Sequence, residues 1–314
     1  MRQSTGSRGV ILSANIQTAP ALAAPVHDGP ARTLRIAAIA MICATMVCFT
    51  ALDTTAKWLG VSLPTIEVVW ARYVGAAVLG LVAARPFSRP GALRARRPGM
   101  QLFRSCMLLA STIANFVALH TLQLAETSTI NFLAPLFVAL LAWPLLGEKA
   151  GPARLAAIGV GFLGVLIATR PGSAAFQPVV IISIFGAVCG AGYAIATRAL
   201  AAHDAPETTL AWTPLAGVVL LTPALPFVWV PPPTLLAWGA MAALGVFASA
   251  GHWLLILAHQ RAPAPVLAPF SYTQLIWMIV SGALFFGDAP PAATLLGAAL
   301  VVGCGLFLIV RERR

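Results

Sequence analysis

Residues 161–170 read GFLGVLIATR, and residues 302–311 read VGCGLFLIVR. Both are runs of small and aliphatic residues closed by an arginine, and both follow a hairpin of the same plan. Before the first, Phe132–Leu146 ends in Gly147-Glu148; before the second, Tyr272–Phe286 ends in Gly287-Asp288. The copies align with a shift of 140 residues before the turn and 141 after it. Five apolar spans separate them. Five is odd, so the second copy enters the membrane upside down, and the two copies are related by a pseudo-two-fold axis in the membrane plane.

Working outward from that pair, ten apolar stretches fill the chain. They are Leu34–Leu59, Thr65–Ala84, Leu102–Thr121, Thr127–Leu146, Pro152–Thr169, Pro178–Ala199, Thr209–Trp229, Leu235–Leu257, Ala264–Phe286 and Ala292–Val310. Each approaches the roughly 20 residues that a helix needs to cross a hydrocarbon core. Only helices that satisfy their own backbone can do so in quantity. Apolar residues make up 59 % of the chain and mean hydropathy is +0.88, more than a water-soluble core requires. The expected fold is therefore all-α and polytopic: ten transmembrane helices as two inverted five-helix repeats, residues 33–170 and 178–311. Residues 1–32, rich in Ala, Ser, Thr, Gln and Pro, read as a disordered cytoplasmic tail. The connections, such as Arg170-Pro171-Gly172 and Val230-Pro231-Pro232-Pro233, are short and punctuated by Pro and Gly. No loop can hold a soluble catalytic domain.

The formal charge of +11 would suggest nucleic acid in a soluble protein. In a membrane protein, position matters more than total. Counting both termini as inside, the inside set holds Arg2, Arg8, Arg32 and Arg35, then Arg85, Arg89, Arg94, Arg96, Arg97 and Arg104. Lys149, Arg154, Arg198, Arg261, Arg311, Arg313 and Arg314 complete it. Arg170 alone falls outside, and Lys57 and Arg72 lie in spans. The expectation is a multi-pass protein of the cytoplasmic (inner) membrane with both termini in the cytoplasm. The basic run reads as topology and anionic-lipid contact, with no nucleic acid. Cys43, Cys48, Cys106, Cys189 and Cys304 share no metal-ligand spacing and read as packing thiols; no metal or cofactor is expected.

Ionisable groups inside a bilayer are costly and so are candidates for function. Thr50, Asp53, Thr54 and Lys57 recur at i, i+3, i+4 and i+7, one polar stripe on the first span. Asp53 is expected to line a central cavity beside Arg72 of the second span, and Lys57 to snorkel to the interface. Asn115 and Asn131, on the third and fourth spans, and His252 and Gln274, on the eighth and ninth, carry amide or imidazole groups that lipid cannot satisfy. Tyr193, Tyr272 and Trp277 are candidates to stack on a planar or cationic ligand. Gly147, Glu148, Gly287 and Asp288 read instead as hairpin devices: glycine for the reversal, carboxylate for the next helix N-terminus.

These motifs resemble those of the EamA-type branch of the drug/metabolite transporter superfamily. The resemblance rests on Pro135, Gly147-Glu148, Gly159 and Gly164 in the first half, and on Tyr272, Gln274, Gly287-Asp288 and Gly305 in the second. Asp53…Lys57 with Arg72-Tyr73 is similar to many members. Two positions depart from the pattern: Asp288 stands where Glu is usual, and Leu275 where Pro135 would repeat. The resemblance implies a carrier for a small polar metabolite, such as an amino acid, vitamin or nucleotide-like compound, working by alternating access and no enzyme. No phosphate-cradling loop is present, so a proton or solute gradient, or simple facilitated exchange, must provide direction; if protons are used, Asp53 and His252 are the first residues to test. Oligomeric state stays open between monomer and dimer. Two other classes fit the composition: an intramembrane hydrolase using Ser249 and His252, and a non-transporting scaffold or sensor.

Overall fold

The computed structural model describes residues 29–84, 94–146, 152–174, 176–200, 203–262 and 264–311. Among these residues every regular element is helical. The order is α1 (Gly29–Leu59), α2 (Thr65–Ala84), α3 (Pro98–Leu119), α4 (Leu124–Asn131), α5 (Ala134–Leu146), α6 (Pro152–Thr169) and α7 (Val179–Leu200). Then follow α8 (Pro206–Trp212), α9 (Leu215–Leu221), α10 (Leu225–Val228), α11 (Leu235–Arg261), α12 (Ala264–Ser271), α13 (Thr273–Ser281) and α14 (Ala292–Arg311). Seven helical stretches are long and apolar enough to cross a membrane, and three shorter apolar ones complete the set: Leu124–Val138, Leu155–Thr169 and Ala292–Leu308. The chain is a polytopic helical membrane protein.

Local chemistry sets the boundaries. Pro occupies the first turn of α3 and of α8, where its missing N–H costs nothing. Thr234 caps α11, its hydroxyl accepting from the Ala237 N–H at 3.1 Å. Gly287 adopts φ +66°, closing the π-helical turn Gly282–Phe286 in the left-handed region that favours glycine. Its expected counterparts Gly147 and Glu148 lie outside the described residues. Within the helices, threonine hydroxyls turn back onto the carbonyl four residues earlier. Thr45 reaches Met41 at 2.9 Å and Thr169 reaches Val165 at 2.8 Å, so they make no demand on lipid.

The helix packing repeats itself. α1 lies along α11, α3 along α7, and α6 along α14. Under the repeat α1 corresponds to α7, α3 to α11 and α6 to α14. The first two contacts are thus one contact made twice, and the third is related to itself. Small residues let the backbones approach. At the α6–α14 crossing, a Cβ on Gly164 would stand 2.8 Å from the Gly297 carbonyl oxygen; at the α2–α11 crossing, one on Gly75 would stand 2.8 Å from Gly245 Cα. α2 packs mainly on α11, and its sequence neighbour α1 does too.

Two crossings are interrupted at matching places. α4 stops at Asn131 and α5 resumes at Ala134; Pro135 has no N–H to offer the Asn131 carbonyl. In the second half α12, which contains Pro269, stops at Ser271 and α13 resumes at Thr273. The residues at the breaks, Phe132 and Tyr272, are counterparts under the 140-residue shift. They meet edge to face with ring centroids 5.0 Å apart. Broken helices lying between inverted repeats are the usual place for a solute site.

Candidate functional site

Beside this meeting point a chain of polar side chains crosses three helices. Asn131 Nδ2 donates to Asn115 Oδ1 at 2.8 Å, and Asn115 Nδ2 donates to Asp53 Oδ1 at 3.1 Å. Asp53 lies six residues from the end of α1, Asn115 four from the end of α3, and Asn131 seven from the start of α4. At about 1.5 Å per residue, these three stand in one layer of the bundle. Arg72, seven residues into α2, joins that layer. Its Nη1 donates to Thr112 Oγ1, and its guanidinium stands 5.0 Å from the Tyr73 ring centroid and 6.0 Å from that of Phe116. Tyr73 OH lies 3.1 Å from the same Thr112 hydroxyl.

Asp53 and Arg72 are both buried, at 9 % and 7 % exposure. Their charges interact, yet they do not touch. Among the described residues the carboxylate–cation pair within 4 Å is Lys57–Asp288. Asp53 is held by an amide and Arg72 by a hydroxyl. Among the described residues Arg72 Nε, Thr50 Oγ1 and Ser128 Oγ lack a partner, as do Glu67 Oε1, Gln101 Oε1, Gln123 Oε1 and Ser183 Oγ elsewhere in the bundle. Native proteins pair nearly all such buried groups, so the unpaired Nε of a buried guanidinium stands out in this layer.

Arg104 is the contrasting case. Sequence placed it among the cytoplasmic loop cations, but it is 4 % exposed inside α3. Its Nε donates to Thr197 at 2.6 Å, its Nη1 to Thr213 Oγ1 at 2.9 Å and to the Thr209 carbonyl at 3.3 Å, and its Nη2 to Tyr193 OH at 2.7 Å. Tyr193, expected to meet a ligand, is thus occupied with Arg104, its ring 4.5 Å from the guanidinium carbon. The signal for Arg104 was present: Arg104, Leu108, Thr112 and Asn115 follow helical spacing down one face of α3. His252 is half-buried, packed edge-on against Phe49 with centroids 5.2 Å apart, and feels the charges of both Arg72 and Arg104.

The remaining candidates are dispersed. Tyr272 packs on Phe132 and over Gly305, where any Cβ would collide with its ring. Gln274 is half-buried on α13. Trp277 shares with Ile276 and Val280 an exposed apolar face of α13, a lipid-facing pattern, and does not join the polar layer. Lys57, instead of snorkelling, donates to Asp288 Oδ2 at 3.1 Å and to the Leu122 carbonyl at 2.9 Å, with its Nζ 4.9 Å from the Phe286 ring centroid. It thus ties the end of α1 to the α3–α4 connection and to the turn before α14. At the other end of the bundle, Asp204 accepts from the Arg96 N–H at 2.6 Å and from Gln101 Nε2 at 2.9 Å. Among the described residues no group of three His, Cys, Asp or Glu is placed to hold a metal.

Comparison with known proteins accords with this architecture. The profile of the EamA-like transporter family matches twice, at residues 36–170 and 177–311. A riboflavin transporter of Brucella anthropi is 27 % identical over 272 residues, covering 84 % of this chain and 95 % of that protein. An S-adenosylmethionine uptake transporter of Rickettsia bellii is 25 % identical, covering 86 % and 92 %. A pseudopaline exporter of Pseudomonas aeruginosa is 28 % identical, covering 81 % and 89 %. A crystal structure at 20 % identity shares the fold over 91 % of this chain, with a TM-score of 0.58. The duplicated profile accounts for the paired helix contacts and the matching helix breaks, and the chain belongs to the EamA-like transporter family.

Proposed function

We propose that this family member is a secondary carrier that moves a small polar metabolite across the cytoplasmic membrane by alternating access, with both termini in the cytoplasm and no enzymatic step. The observation that carries this reading is the buried layer Asp53–Asn115–Asn131 with Arg72, set beside two symmetry-related helix breaks. Inverted halves that share one such site can rock about it, so that the site opens first to one face and then to the other. Relatives named for riboflavin, S-adenosylmethionine and pseudopaline support a metabolite-sized cargo. They include both uptake and export, so direction follows from the gradient applied. His252 and Asp53 are the proposed proton sites, since each is a titratable side chain inside a span.

The test is solute counterflow in proteoliposomes containing the full chain, with riboflavin, S-adenosylmethionine and amino acids as trial cargoes and with or without a pH gradient. One of them should exchange, and Asp53→Asn should reconstitute normally yet lose about tenfold or more of that rate. Native-rate exchange by Asp53→Asn across pH would refute its place in the pathway.

A further inference from the structure

We infer that the cargo is a zwitterion whose carboxylate docks on Arg72 while its ammonium group faces Asp53, an assignment that rests on the carrier reading above. The two arginines buried in the bundle make the case by comparison. Arg104 directs Nε, Nη1 and Nη2 at protein acceptors, so that each of its nitrogens is engaged. Arg72 is as deeply buried, at 7 % exposure, and its partners are neutral like those of Arg104, but among the described residues its Nε has no acceptor. A guanidinium offers five N–H donors in a planar fork that matches a carboxylate in two parallel hydrogen bonds. Burying such a charge without an anion is costly, and the cost falls when an anion arrives.

Asp53 is the mirror case. It is buried without a cation in contact, and one of its oxygens is held by the amide chain from Asn131 through Asn115. That chain holds one carboxylate oxygen, and no ion pair between Asp53 and Arg72 forms. The layer therefore keeps one positive and one negative charge without a direct ion pair between them. A guest bearing both charges settles both; a guest with a single charge leaves the other site unpaired.

The test uses the full chain in lipid nanodiscs and three matched pools: L-α-amino acids, the corresponding amines without the carboxylate, and the corresponding acids without the ammonium group. Riboflavin, which carries neither ionised group, is the fourth probe. Binding is read as the rise in melting temperature followed by tryptophan fluorescence, and the pools are then tried in counterflow. The amino-acid pool should stabilise at concentrations about tenfold or more below those needed for either single-charge pool. Arg72→Gln should abolish the response to the amino-acid and acid pools. Should that variant fail to fold, Arg72→Lys, which keeps the charge and loses the fork, should respond more weakly than native. The inference is overturned if amines act as well as amino acids, if no amino acid stabilises, if riboflavin alone does, or if Arg72→Lys and native respond alike. Loss of the carrier reading looks different: nothing in any pool, nor riboflavin, would exchange in counterflow.

Discussion

The contact between Lys57 and Asp288 allows a quantitative test of how the two halves are tied together. The residues are 231 positions apart and belong to opposite repeats, and their side chains are 14 % and 21 % exposed, so solvent screens them only in part. At 3.1 Å and an effective dielectric of about 20, the Coulomb attraction is about 5 kcal/mol before desolvation is subtracted. Desolvating the two ions offsets much of that, leaving a net coupling of about 1–3 kcal/mol. Lys57→Met also removes the 2.9 Å bond to the Leu122 carbonyl; its total loss should be about 2–4 kcal/mol. Asp288→Asn keeps a hydrogen-bond acceptor and should lose about 1–2 kcal/mol. Unfolding of the native protein, the two single variants and the double variant in mixed micelles closes the cycle. The double variant should lose about 1–3 kcal/mol less than the two single losses combined, and the exchange Lys57→Glu with Asp288→Lys should recover part of it. If the single losses add to within about 0.5 kcal/mol, the pair carries no coupling and the two repeats are held by packing alone.

Asp204, in the connection before α8, offers a pH test. Burial pushes its carboxyl up, but hydrogen bonds from the Arg96 and Arg97 N–H groups and from Gln101 outweigh that and hold it below the ordinary 3.8. A carboxyl depressed on folding adds stability above its unfolded value and loses it as pH falls through the folded one. The melting temperature should therefore drop below about pH 4, and Asp204→Asn should be less stable at neutral pH with a flatter acid profile; identical profiles would show that the clamp is unimportant. Gly245→Val places branched carbons into the Gly75 backbone across the α2–α11 crossing and should cost folded yield by about 3 kcal/mol or more, checked by the fraction that elutes monodisperse. Reporter fusions after Arg97 and Arg314 should report cytoplasm and one after Pro233 the opposite side; a reversed result at Arg97 would overturn the proposed orientation.

Much of the architecture was legible before any coordinates. The apolar lengths mark the crossings, because a membrane span must be long, apolar and internally hydrogen-bonded. The 140-residue shift aligns Phe132 with Tyr272, but it also sets Leu275 against Pro135, so the repeat gives the corresponding positions and not the helix breaks themselves. Asp53, Asn115 and Asn131 stood out because amide and carboxylate groups inside a span must find partners. Those signals are local, and periodicity along one helix reports which residues share a face.

Which helix lies opposite that face is a non-local matter, and only the tertiary structure decided it. Asp53 and Arg72 sit on consecutive spans but do not pair: the carboxylate meets the Asn115 amide of α3, and α1 and α2 both lie against α11. Lys57 reads as an interfacial cation until the turn after α13 brings Asp288 to 3.1 Å. Arg104 counts as a loop charge until Tyr193, Thr197, Thr209 and Thr213 from α7 and α8–α9 close around it. Trp277 shares the ninth span with Tyr272 and Gln274, yet the packing of α13 turns it to the exposed face. A buried charge is stable wherever donors and acceptors converge on it, and that convergence is a property of the packed bundle, which no single helix encodes.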